Sequence, residues 1–287
     1  ESSWGGTRIE PWTPPAGFMK FPSLRDLATN SINPGKISNT RPRAIYNAMI
    51  EPIAGFAIRG TIWYQGESNL MGTGTNNDYK TYETKMEALV DGWREIWSQG
   101  DFPFYFVQIA PYKYYGGRIR RDNSPEMLPE FWELQEQAAR KIKNAEIVLT
   151  DDIVDNLNDI HPRDKQDVGH RLALVALAKT YGRKVVYSGP VFDKVKFKGN
   201  KAVLKFDFVD GGLASKDGKP LDWFSIAGAD GRFVTAEARI VGKTVVVSAP
   251  GVEKPTAVRF GWDETAQPNF CNKAGLPAAP FRTDESD

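Results

Sequence analysis

The sequence has one cysteine, Cys271, and two histidines, His161 and His170. A lone cysteine rules out an internal disulfide and any cysteine-built zinc or iron–sulfur cage. Two histidines are too few for a histidine-rich metal site. Neither sign of charge is in excess: 37 Lys and Arg stand against 36 Asp and Glu, a net charge of +1. So even a balance lacks the electrostatic footprint of a nucleic-acid binder. No apolar run reaches the roughly 18 residues that cross a bilayer, and neither an internal repeat nor a low-complexity tract occurs. What is present is globular material, 287 residues with 41% hydrophobic, 12% aromatic and 25% charged. That composition argues against disorder and suffices for one large domain or two of roughly 100–200 residues each.

The texture changes near residue 183. Before it, apolar bursts alternate with helical periodicity. Gly55–Tyr64 ends in a β-rich run and reads as a strand. Tyr82, Met86, Leu89, Val90, Trp93, Ile96 and Trp97 recur at spacings of three and four, the stripe of an amphipathic helix. Phe102–Ile109 is nearly continuous apolar, as in a strand buried on both faces. Phe131–Lys143 has helical composition, Glu146–Leu149 returns to strand, and Asp164–Tyr181 reads as a helix stopped by Gly182. Such alternation predicts a parallel sheet flanked by helices. Beyond residue 183, short alternating runs take over: Lys194–Phe197, Ala202–Phe208, Phe233–Ile240, Thr244–Ser248 and Ala257–Gly261. Turn dipeptides separate them, the spacing of a small antiparallel sandwich. The expected domains are 1–187 and 188–287, joined around Gly182–Pro190.

Ligands of open parallel sheets bind beyond the carboxyl ends of the strands, so the loops there carry the chemistry. The segment Ser2–Glu10 holds Gly5 and Gly6, whose backbone can approach a ligand and offer N–H donors, though paired glycines also serve as a plain tight turn. The segment Trp63–Asn69 places Gln65 and Glu67 around Gly66 at a strand's end. Ser68 there echoes a nucleophile elbow but lacks the second glycine of that motif. The segment Leu149–Lys165 holds His161 among Asp151, Asp152, Asp155, Asp159 and Asp164; a histidine beside a carboxylate is the usual general base. His170, inside the closing helix, reads as a packing or surface residue. Ser2, Ser3 and Ser68 are the hydroxyls nearest these loops, and none makes a convincing nucleophile.

These segments resemble the sialate O-acetylesterase family of the SGNH-hydrolase superfamily. The resemblance is carried by SSWGGTRIEPW (Ser2–Trp12), IYNAMIEPI (Ile45–Ile53), IWYQGESN (Ile62–Asn69), FYFVQIAPY (Phe104–Tyr112), DIHPRDKQDVGHRLA (Asp159–Ala173) and GLPAAPFRTD (Gly275–Asp284). It implies a flavodoxin-like three-layer α/β catalytic domain, followed by the β-sandwich, that removes O-acetyl groups from a sugar without metal or cofactor. By the same resemblance His161 is the general base, Gly5 or Gly6 supplies an oxyanion donor, and Gln65 to Glu67 completes the pocket, Gln65 or a protonated Glu67 donating. The family's acid stands three residues before the histidine; here that place is Asn158, and Asp159 or a backbone carbonyl orients the ring. The family's serine lies in a GQSNM-like block upstream of the WGGT segment, and that block is absent here. The expectation is therefore a companion N-terminal segment of the same protein, without which this chain is not a competent esterase. Arg8, Arg118, Arg120 and Arg121 are candidate partners for a sialic-acid carboxylate, acetyl-xylan being the alternative substrate. A non-catalytic glycan-binding role would instead use Trp223, Phe224, Phe260 and Trp262, residues that serve equally as sandwich core. Relatives of this kind are exported to a periplasm or beyond, or are lysosomal in animals, so a periplasmic or secreted location is expected.

Overall fold

The computed structural model describes residues 1–29, 38–72, 78–115, 124–209 and 211–284; Arg118, Arg120 and Arg121 fall outside them. Contacts divide the chain into two compact units. One comprises Glu1–Ile109 with Leu134–Val148, the other Ala110–Glu133 with Leu149–Asp287.

The first unit is built on a parallel sheet of β1 (Thr61–Tyr64), β2 (Phe104–Val107) and β3 (Ala145–Val148), in that order. All four residues of β2 are buried, because a central strand covered on both faces has no polar side to present. The expected strand over Gly55–Tyr64 is shorter than its pattern. Only its last four residues pair, because the Gln99 side chain takes both the N–H and the C=O of Ile58 (3.1 and 3.0 Å). Ahead of the sheet lie two short helices, α1 (Pro15–Lys20) and α2 (Arg25–Thr29). Helix α3 (Glu67–Met71) follows β1 directly. The apolar stripe forms α4 (Tyr82–Trp97), burying Tyr82, Met86, Leu89, Val90, Trp93 and Trp97. Trp63 of β1 meets Trp12 and Trp93 edge-on, with centroids 5.6 and 5.7 Å apart, contacts that each add about 0.5–1.5 kcal/mol to area burial. Helix α5 (Met127–Lys141) links β2 to β3 and runs from the second unit into the first.

In the second unit, α6 (Lys165–Val175) starts at an Asp164 cap whose carboxylate accepts from the Asp167 N–H at 2.9 Å. A wider turn, Ala176–Thr180, extends it to Gly182, which has φ +64° as the expected stop requires. Thereafter the unit is antiparallel. One sheet orders β4 (Val191–Lys198), β5 (Lys201–Asp207), β10 (Thr244–Ser248) and β9 (Glu237–Val241). The other orders β13 (Phe281–Arg282), β11 (Ala257–Phe260), β7 (Phe224–Ala227) and β8 (Val234–Thr235), and β6 (Leu213–Ser215) pairs with β12 (Phe270–Asn272). The run Phe233–Ile240 splits into β8 and β9, the intervening Ala236 N–H turning to the Phe224 carbonyl at 2.9 Å. Between the sheets, Leu204, Phe206 and Val245 pack with Ile226, Val258, Phe260 and Phe281, and Phe206 reaches Phe281 at 5.8 Å. Phe224 and Phe260, 1% and 0% exposed, belong to this core. They are therefore closed to a sugar. Trp262 instead lies under the guanidinium of Arg282 at 5.0 Å, and Trp223 stands partly exposed.

Candidate active site

Gly5 and Gly6 form a tight turn held from one end. The Thr7 hydroxyl donates to the Trp4 carbonyl at 2.8 Å and accepts from the Trp12 indole N–H at 2.9 Å. Gly6 has φ +70°, a left-handed conformation that a side chain disfavours. A Cβ at either glycine would meet nothing within 4 Å, so the turn faces open space. Among the described residues neither glycine N–H has an acceptor; the donors are left for something else.

The loop after β1 grips this turn. Gln65 is buried, and its amide nitrogen donates to the Thr7 carbonyl (3.0 Å) and to Asn69 Oδ1 (2.7 Å), while its Oε1 accepts from the Tyr82 hydroxyl (3.1 Å). Both amide hydrogens are thereby engaged, and an oxyanion would have to displace one partner. Asn69 is 1% exposed. Its Oδ1 also accepts from the Ile9 N–H (2.9 Å) and its Nδ2 donates to Glu10 (3.1 Å). Glu67 opens α3 beside them.

Arg8, expected to meet a substrate carboxylate, is tied into a buried ion cluster. Its guanidinium pairs with Glu10 at 2.8 Å and with Asp78, and Lys85 lies 2.8 Å from both of those carboxylates. Burial by itself would raise the Glu10 carboxyl, yet Lys85 and Arg8 together hold it below the usual range. Two cations and two anions satisfy one another, so Arg8 already has its carboxylates.

His161 lies in the second unit, on the loop between β3 and α6, with its side chain 85% exposed. Asp159 Oδ1 accepts from the His161 backbone N–H at 3.0 Å and stands 3.5 Å from Nδ1. Nε2 has no partner among the described residues. The remaining loop acids have structural tasks: Asp164 caps α6, Asp155 lies 3.7 Å from Arg163, and Asp152 is gripped by Arg171 at 2.7 and 2.8 Å. Asp151 is fully buried, and among the described residues neither carboxylate oxygen has a hydrogen-bond partner. Burial and the neighbouring Asp152 push its carboxyl well above the aspartate range, so Asp152 is the charged member of the pair and Asp151 the neutral one. His170 is exposed on α6. Ser2 donates to the Met49 carbonyl (3.2 Å) and Ser3 to the Glu1 side chain (3.2 Å).

Residue-by-residue reading overlooked Asn69, Arg171 and Lys216, and counted Asp152 only as one of the acids around His161. Asn69 carries a signal, since it follows Gln65 by four positions across a strand-to-helix turn. The other three meet through pairings that cross up to 64 residues.

The sequence profile of a family described as carbohydrate esterase, sialic acid-specific acetylesterase matches residues 2–178. The chain is 27% identical to the sialate O-acetylesterase of Homo sapiens, over 98% of this chain and 56% of that protein. It is 30% identical to the sialate O-acetylesterase of Mus musculus, over 72% of this chain and 44% of that one. A solved carbohydrate acetylesterase from Xanthomonas citri superposes with a TM-score of 0.84 at 38% identity, covering 99% of this chain and 60% of its own. The chain thus spans about half the length of these proteins, from 44% to 60%.

Proposed function

The chain belongs to the carbohydrate esterase family of sialic acid-specific acetylesterases, and from that premise we propose that it supplies the base and the oxyanion donors of a serine esterase that releases acetate from O-acetylated sialic acid. The observation that carries the proposal is the Asp159–His161 pair: an exposed imidazole with a carboxylate 3.5 Å from Nδ1 and an Nε2 without a partner among the described residues. A carboxylate on that side favours the tautomer whose Nε2 accepts a proton and steadies the imidazolium once it forms.

A serine on a companion N-terminal segment of the same protein gives its proton to His161 and attacks the acetyl carbonyl. The tetrahedral oxyanion falls to the Gly5 and Gly6 N–H groups, where losing one donor typically costs on the order of 10²–10³ in rate. Gln65 acts by holding Thr7, and hence the turn, in place. His161 then protonates the departing sugar oxygen, which leaves as the free hydroxyl, and water repeats the sequence on the acetyl-enzyme. The companion segment is supported by the outer edge of β1, which pairs with nothing among the described residues, and by Ile62 on that strand, 68% exposed. A bare apolar edge invites another strand.

The test is acetate release by the full-length protein from O-acetylated sialic acid and from acetyl-xylan. We expect His161→Ala to abolish turnover with the fold intact, and sialic acid to be the better substrate. Activity within tenfold of wild type would remove His161 from the mechanism, and preference for acetyl-xylan would replace the substrate while leaving the chemistry.

A further inference from the structure

We infer that the antiparallel part of the chain positions the histidine loop, with Lys216 and Glu264 as positioning residues for Asp159 and His161. The inference rests on His161 being the general base, and it goes further by giving the β-rich region a task in the reaction.

Two separate runs of contacts lead from that region to the loop. The first ends at the loop's root. The Asp152 carboxylate, its side chain 3% exposed, accepts from both terminal guanidinium nitrogens of Arg171 and from the Lys216 ammonium at 2.9 Å. Lys216 also donates to the Asp152 carbonyl at 3.0 Å, and Arg171 to the Leu149 carbonyl at 2.7 Å. Arg171 sits on α6, which follows the loop, whereas Lys216 comes from the turn after β6. That turn is itself fixed: the Lys216 N–H donates to the Asn269 carbonyl at 2.7 Å, and Asn269 donates to Asp217 and to the Pro220 carbonyl.

The second run ends two residues before Asp159. The Lys113 N–H donates to the Leu157 carbonyl at 3.1 Å. The segment bearing Lys113 hangs from Glu264, which lies between β11 and β12 and is 5% exposed. The Tyr115 N–H donates to the Glu264 carboxylate at 2.8 Å and the Tyr112 N–H to its carbonyl at 3.1 Å. The loops that follow β2 and β3 are thus held at their roots by residues of the antiparallel part, in agreement with their membership of one compact unit.

Lys216 separates positioning from stability. Its side chain is 49% exposed while that of Asp152 is 3% exposed, so replacing it takes one of two cations from a buried carboxylate without leaving that charge unpaired. Asp152 keeps Arg171 when Lys216 is replaced, so the fold survives while the root of the loop loosens. Misplacing a catalytic group by about an ångström costs up to 10²-fold.

The experiment compares full-length wild type with Lys216→Met, Lys216→Arg and Glu264→Ala. Expected for Lys216→Met and Glu264→Ala are faster amide hydrogen exchange in residues 149–164 and unchanged exchange in β1 to β3. A fall in kcat of about tenfold or more should accompany this, with KM within about twofold. Lys216→Arg should restore both. Unchanged exchange in 149–164 with kcat within twofold for both variants would overturn the inference, as would a Lys216→Arg variant no better than Lys216→Met. Exchange is read without substrate, so a wild-type protein lacking esterase activity would sink the assignment of His161 and leave the exchange comparison to decide the bracing.

Discussion

Replacing Asn69 with alanine should cost far more than its place in the short helix α3 implies. The side chain is 1% exposed and joins the Ile9–Glu10 stretch to Gln65, accepting from Ile9 (2.9 Å) and Gln65 (2.7 Å) and donating to Glu10 (3.1 Å). Truncation strands the Ile9 N–H and one Gln65 N–H, and both residues are buried. An orphaned buried donor costs about 1–3 kcal/mol, so two give about 2–6 kcal/mol, a large part of the roughly 5–15 kcal/mol that keeps a domain folded. Glu10 adds little to the loss, because Arg8 and Lys85 remain on it. Urea unfolding at neutral pH, followed by tryptophan fluorescence and read as a change in midpoint at constant slope, measures the cost. Gln65→Ala and the double variant complete a cycle whose coupling should reach about 1 kcal/mol or more, as expected for groups sharing one hydrogen bond. A loss below about 1 kcal/mol for Asn69→Ala, or strict additivity with Gln65→Ala, would refute the view that Asn69 ties the glycine turn to the loop after β1.

Two further predictions concern other parts of the molecule. Gly6→Ala places a Cβ on a backbone at φ +70°; a stability loss of about 1–2 kcal/mol and a fall in kcat larger than any change in KM should show in unfolding and steady-state assays. Asp151 is buried with its carboxyl raised, so above the ordinary aspartate value of about 4 the native state binds more protons than the unfolded one, and stability declines as pH rises toward the native value. Asp151→Asn removes that slope: its advantage over wild type in thermal unfolding should be small near pH 4 and grow with pH, by at most about 1.4 kcal/mol per unit.

The parts of the fold readable in advance were those with local causes. The three- and four-residue spacing from Tyr82 to Trp97 exists because one helix face meets the sheet, and Thr244–Ser248 alternates because one strand face meets the core. Strands β6, β12 and β13 are two or three residues long, too short for a period to register, and Phe224 on β7 resembles a ligand-binding ring as much as a core residue. In the site, the histidine and glycine loops announce themselves through residue type. Which charge each arginine meets does not: Asp78 lies 70 residues from Arg8, and only folding reveals that the guanidinium is already occupied. Gln65 illustrates the same limit, since an amide at a strand's end looks like a free donor until Thr7 and Asn69 are seen to take both hydrogens.

The central claim, acyl transfer by a serine outside these 287 residues with His161 as its base, is tested most directly by labelling the full-length protein with a fluorophosphonate and locating the adduct by peptide mass spectrometry. The account predicts one modified serine, on the companion segment, with labelling suppressed in His161→Ala. An adduct on Ser2, Ser3 or Ser68, or labelling that survives the loss of His161, would contradict it.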